Sequence, residues 1–283
     1  MEYAILNNGV KMPLIGLGVM EIENNIAGEQ VILNALHAGY RMIDTATVYF
    51  NEETVGRAIK KSRIPREELF ITSKFWVQDA GYENTKKAFQ QSLDKLSLDY
   101  LDMYLIHVPF GDYYGSWRAM EELYKEGKIR AIGVCNFYPA RLADLCMNVP
   151  IKPAICQVEL HPFYQQAETL VNMRNFGIQP EAWSPLAHGR FHIFSNKVLE
   201  EIAAKYGKSI SQIVIRWHIQ RGVAVIPKSV NKNRIEENFN VWDFSLTEDD
   251  MNRIAQLDIG HTEAEDPTAL ETAIEVNLWK IHD

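Results

Sequence analysis

A series of polar residues closes short apolar segments along this chain. Asp44 ends YRMID, Lys74 ends LFITSK, His107 follows LDMYLI and Asn136 follows IRAIGVC. Gln157 and Glu159 end ICQVE, Ser184 follows QPEAW and Lys228 follows VAVIP. Carboxylate, ammonium and imidazole groups exchange protons and stabilise charge; amides and hydroxyls orient a ligand. Taken singly, each is as easily a loop residue or half of a structural ion pair. The repetition along the chain points instead to one shared face. A second concentration is PKSVNKNR (227–234), which gathers Lys228, Lys232 and Arg234 in a chain of formal net charge −8. It leads into IEENF, a helix start, and a helix N-terminus presents unpaired N–H groups to phosphate. The alternative is a solvated charged loop.

The apolar segments themselves read as strands. They are 14–18, 40–44, 69–74, 101–106, 129–134, 155–158, 179–183 and 223–227, bounded by Gly, Pro or charge. Helical spacing fills the intervals. Phe89, Leu93 and Leu96 share one face, as do Met120 and Leu123 ahead of Gly127. Ser209 with Gln212, and Thr247 with Asp250, have the spacing of capping boxes. Strands separated by helices imply parallel pairing with crossovers. The expected class is therefore α/β, a (β/α)8 TIM barrel forming a single domain over 1–283, with an open doubly wound sheet as runner-up. A barrel gathers the C-terminal ends of its strands on the active-site face. Asn7-Asn8-Gly9 between apolar stretches signals a hairpin. That hairpin would cap one end, and the tail after Gly260 would fold over the active-site face.

Composition removes several classes. An acidic chain lacks the basic face of a nucleic-acid or anionic-membrane binder. No apolar run approaches the roughly 18 residues of a membrane span, and the N-terminus shows no signal-peptide pattern. Cys135, Cys146 and Cys156 form no C-x-x-C and read as reduced thiols, which places the protein in the cytoplasm. There is no G-x-G-x-x-G, Walker loop, H-E-x-x-H or G-x-S-x-G, and His107, His161 and His188 lack metal-ligand spacing, so no metal is expected.

The segments GYRMIDTATVYFNEETVG, LIHVP, GVCNF, QVELHP, WSPL and IPKSVNKNRIEEN, in this order, resemble the aldo-keto reductases. The resemblance runs from PLIGLG to about Gly260. Within the family it is greatest to bacterial members of the 2,5-diketo-D-gluconate reductase and methylglyoxal reductase type. It implies a barrel that binds NADPH without a Rossmann domain and reduces aldehydes or ketones to alcohols. The implied catalytic residues are Asp44, Tyr49, Lys74 and His107. Hydride would come from the nicotinamide and the proton from Tyr49. A nearby Lys74 ammonium would lower the tyrosine pKa, Asp44 would hold Lys74, and His107 would orient the carbonyl oxygen.

The resemblance assigns the cofactor contacts as well. Asn136 and Gln157 match residues that bind the carboxamide, and Trp183 matches the aromatic stacked on the ring. Ser184 and Leu186 match the pyrophosphate loop. Lys228, Ser229 and Arg234 match contacts to the 2′-phosphate, while Glu237 and Asn238 match residues near the adenine. Cys135 stands where serine is usual, Trp183 where tyrosine is frequent, and Val108 where tryptophan often follows the histidine. Phe50 stands where glycine or tyrosine is frequent, and His188 where a small residue often touches the pyrophosphate. The implied substrate wall is Met20, Phe50, Trp76, Val108, Phe110 and Trp279, suited to a small aldehyde or ketone. Family members lean toward monomers. Two other readings stand beside the reductase. A barrel lyase or isomerase would place a phosphorylated sugar at Arg234, and a cofactor-sensing binding protein would use the barrel without turnover.

Overall fold

The computed structural model describes residues 1–262, 266 and 269–283. An antiparallel hairpin comes first, β1 (Tyr3–Ile5) against β2 (Lys11–Pro13). Gly9 supplies the positive φ of its turn, +84°. Side-chain amides of Asn7 and Asn8 donate to the carbonyls of Pro153 and Arg130, which precede or begin barrel strands. The hairpin therefore closes the N-terminal end of the barrel.

The barrel strands are β3 (Leu17–Gly18), β4 (Met42–Asp44), β5 (Phe70–Phe75), β6 (Leu101–Ile106), β7 (Ile129–Cys135), β8 (Ile155–Glu159), β9 (Gln179–Trp183) and β10 (Ala224–Val225). Each pairs in parallel with the next. β5, β6 and β8 are buried along their whole length, as strands covered on both faces must be. The ring closes where Ile15 bridges Val225. There Gly16 N donates to Val225 O at 2.9 Å and Val225 N to Leu14 O at 3.0 Å. The segments 14–18 and 223–227 thus contribute shorter strands than their apolar runs suggest. Their seam is tight: a Cβ at Gly18 would lie 2.7 Å from the Ile226 carbonyl oxygen.

Helices α1 (Ile26–Ala38), α2 (Glu52–Ser62), α3 (Tyr82–Leu96), α4 (Tyr113–Lys125), α5 (Pro139–Asn148) and α6 (Ala167–Asn175) connect the first strands in turn. Both α7 (Lys197–Tyr206) and α8 (Ile210–Gln220) lie between β9 and β10, and α9 (Lys232–Phe239), α10 (Glu248–Ala255) and α11 (Leu270–Leu278) follow. Both capping boxes form, on α8 and α10. One hydrophobic cluster joins strands and helices from Leu6 to Ile254. The tail folds back to the strand C-termini: the Trp76 indole N–H donates to Trp279 O at 3.0 Å, and Gln78 and Asp79 bond His282.

Candidate active site

Strand register decides which side chains share the interior. Asp44 is opposite Thr72 and Lys74 is two residues further on, so both face inward. Gln157 is opposite Cys135 on one side and Glu181 on the other. These residues form one layer near the strand C-termini. Lys74 is fully buried and its ammonium bonds the Asp44 carboxylate and, at 3.0 Å, the Thr45 carbonyl. The other Asp44 oxygen accepts from Gln157 Nε2 at 3.0 Å, and Gln157 Nε2 also donates to Glu181 Oε2 at 2.7 Å. Burial disfavours the Lys74 ammonium, but Asp44, Tyr49 and Cys135 together outweigh it and raise the pKa.

Tyr49 enters this layer from a short turn, Thr47–Tyr49. Fully buried Asn51 anchors that turn: it accepts from Thr45 at 2.8 Å and donates to the carbonyls of Val19 and Ile22. The Lys74 ammonium lies 5.0 Å from the Tyr49 ring centre. The His107 ring meets Tyr49 edge-on at 5.6 Å and Trp76 edge-on at 5.4 Å. Burial pushes the Tyr49 hydroxyl up to about 12, and Lys74 pulls against that. The expected net lowering of this pKa is therefore corrected: desolvation exceeds the attraction of the ammonium. Burial and the Lys74 charge hold His107 well below its usual pKa, so its ring is neutral. Its Nδ1 is buried without a hydrogen-bond partner.

Asn136, at φ +61°, links to the same group. Its Nδ2 donates to His107 O at 3.3 Å, and its Oδ1 accepts from the Trp183 indole at 2.9 Å. Tryptophan in place of tyrosine thus brings an in-plane donor that fixes its own ring. Ser184 has φ +48° and Leu186 packs half-buried on the core. The basic segment lies further out. Arg234 is exposed at the start of α9, whose N-cap Asn231 accepts from Arg234 N, and no ion-pair partner faces its guanidinium among the described residues. Ser229 is half-buried, Glu237 half-buried and Asn238 buried on α9. Lys228 is paired to Glu21 at 3.0 Å, an engagement with protein rather than an open cation.

A small apolar cluster beside Tyr49 and His107 contains Trp76, Val108 and Phe110 with Ala46, Val48, Val77 and Val276. Trp279 packs against Trp76 at 5.2 Å. Met20 and Phe50 are exposed and stand outside that cluster. Glu159, at the end of β8, accepts from Thr262 and lies 3.5 Å from His161. Sequence reasoning missed Glu181, Asn51 and Glu21. Glu181 carries a legible signal, a carboxylate inside a strand rather than at its end. Asn51 and Glu21 carry none.

The arrangement offers a proton-bearing hydroxyl beside a cation, a neutral imidazole, a flat indole and an unpaired outer guanidinium. An aromatic and apolar wall borders them. The residues therefore suit a dinucleotide phosphate. The free guanidinium and capped helix end fit an outer phosphate, and the amides and indole fit a planar amide-bearing ring.

The family model for the aldo/keto reductase family matches residues 14–259. A glyoxal reductase of Bacillus subtilis (strain 168) is 51% identical over 89% of this chain and 91% of its own. A methylglyoxal reductase of Escherichia coli (strain K12) is 48% identical over 93% and 95%. A Bombyx mori aldo-keto reductase solved in complex with NADP superposes with TM-score 0.88 at 34% identity, over 93% of this chain and 95% of that one. With the barrel, the family model and these relatives in agreement, the chain belongs to the aldo/keto reductase family and is an NADP(H)-dependent oxidoreductase of carbonyl groups.

Proposed function

We propose that this enzyme reduces small aldehydes, glyoxal and methylglyoxal first among them, with Tyr49 as proton donor. The supporting observation is Tyr49 itself, set between the Lys74 ammonium and the neutral His107 ring at the edge of an apolar wall. When bound, NADPH supplies the hydride. Tyr49 holds the proton at neutral pH and releases it as negative charge grows on the carbonyl oxygen. Lys74 stabilises the tyrosinate left behind. Asp44 fixes and balances Lys74. His107 donates to the carbonyl oxygen through Nε2, because a buried, partnerless Nδ1 is cheaper as a lone pair than as an N–H. Asn136, Gln157 and Trp183 hold the nicotinamide, and Ser184 and Leu186 line the pyrophosphate. Ser229 and Arg234 would bind the 2′-phosphate, joined by Lys228 where the phosphate draws it from Glu21, and Glu237 and Asn238 would border the adenine. Met20, Phe50, Trp76, Val108, Phe110 and Trp279 surround the substrate. The test is NADPH consumption with glyoxal and methylglyoxal, set against a carbonyl too large for the wall. Equal rates on all would contradict the substrate reading.

Tyr49 must start protonated and burial raises its pKa, while His107 is already neutral. Reductive kcat is therefore expected to stay flat between about pH 6 and 8 and to fall only on the alkaline side. An acid-side loss centred near about 6.5 would mean that His107 titrates in the working range. Arg234→Ala is expected to weaken NADPH binding by about 10- to 100-fold and to leave NADH binding unchanged, since the lost contact is charge-assisted. Quenching of tryptophan fluorescence reads both.

The catalytic unit is taken as one barrel domain over 1–283, acting as a monomer. The continuous core from Leu6 to Ile254 supports the single domain. A cytoplasmic setting is supported by the free, buried thiols of Cys135, Cys146 and Cys156. Among the described residues no helix is long and apolar enough to cross a membrane.

A further inference from the structure

Gln157 is held from two sides by acids. Its Nε2 lies 3.0 Å from Asp44 Oδ2 and 2.7 Å from Glu181 Oε2, and all three side chains are buried. An amide nitrogen carries two protons, and these carboxylates take both. Turning the amide over would aim Oε1, which has only lone pairs, at the same two groups. In the barrel interior, where water does not screen it, that contact is repulsive. Asp44 is already committed to Lys74 through its other oxygen. Glu181 has Gln157 as its hydrogen-bond partner. Gln157 is therefore left with Oε1 to offer a ligand, and among the described residues only the Cys135 thiol, a weak donor at 3.7 Å, meets that atom.

We propose that Glu181 is a positioning residue that fixes Gln157 as a hydrogen-bond acceptor, so that the site selects a nicotinamide ring whose substituent brings N–H donors, an inference that rests on the cofactor placement given above. A carboxamide meets Oε1 with its N–H. An acetyl group has nearly the same size but puts a methyl where the amino group was, and it offers only an acceptor. Glu181 fixes the amide as a carboxylate, which has no proton to donate to a turned Oε1. Burial and the neighbouring Asp44 charge raise its pKa, and the bond from Gln157 opposes them.

The test is a fluorescence titration of the wild-type protein, Glu181→Gln and Glu181→Asp with NADP⁺ and with its 3-acetylpyridine analogue. The wild type is expected to prefer NADP⁺ by about tenfold or more, because the analogue leaves a buried acceptor unpaired. In Glu181→Gln the new amide can turn and donate to Oε1, which lets Gln157 turn too. The preference should then fall to within about threefold. Glu181→Asp keeps the carboxylate and should keep most of the preference. A merely structural defect would weaken both dinucleotides together and leave the ratio unmoved. It would also disturb the NADPH-over-NADH preference set at Arg234, which should stay as in the wild type. A wild type that binds the analogue as tightly as NADP⁺ overturns the proposal, whether or not the variants fold. An unchanged ratio in folded Glu181→Gln overturns the role of Glu181. If the wild type binds neither dinucleotide, the cofactor placement itself fails and the proposal falls with it.

Discussion

Tyr49→Phe is expected to lower kcat for methylglyoxal by about 10²- to 10⁴-fold, the range for losing a positioned general acid. NADPH affinity should remain within about twofold of wild type, since that change would alter Kd by well under 1 kcal/mol. The phenyl ring keeps the edge-on contact with His107 and the 5.0 Å approach to Lys74, so only the proton is lost. Stopped-flow turnover together with fluorescence titration separates the two quantities. Full turnover in this variant would assign the proton to another group. A parallel loss of NADPH binding would mean that Tyr49 supports the site rather than acting in it.

The second large effect concerns the buried ion pair. Lys74→Met removes the ammonium and leaves Asp44 among buried neighbours that include another acid, Glu181. Stability is expected to fall by about 3–5 kcal/mol, the cost of breaking one side of a buried pair. Activity should fall as well, because nothing then stabilises the tyrosinate. Adding Asp44→Leu to Lys74→Met should restore most of the stability, as apolar replacement of a whole buried pair is often neutral. It should restore none of the activity. Urea denaturation and NADPH turnover on the single and double variants check both halves. Recovery of turnover in the double variant would show that the pair serves folding alone.

The barrel was legible because helices and strands alternate and because each strand runs out in a polar residue. β6 and β9 fall where their apolar runs do, at 101–106 and 179–183. The first and last strands were less legible. They close the ring against each other through the glycine-lined seam, and only Leu17–Gly18 and Ala224–Val225 keep strand geometry. Asp44, Lys74 and His107 stand out in sequence as strand-end polar groups. Tyr49 does not, since it lies on a turn whose place depends on Asn51 reaching Val19 and Ile22. Such long-range bonds leave no periodic trace. Glu21 is similar, because its pairing with Lys228 joins residues 207 positions apart. Glu159 shows the converse limit: a strand-end carboxylate that looks like a site residue but turns to His161 and Thr262. Charge alone does not state which neighbour takes up a side chain.

Hydride transfer from NADPH to a small aldehyde is read by isotope transfer. The wild-type protein would be supplied with methylglyoxal and, separately, with each of the two C4-deuterated forms of NADPH. Mass spectrometry of the alcohol product should find deuterium on carbon from one form and none from the other, since a ring held as proposed by Asn136, Gln157 and Trp183 would present a single face. An alcohol labelled equally from both forms, or no alcohol at all, would contradict it.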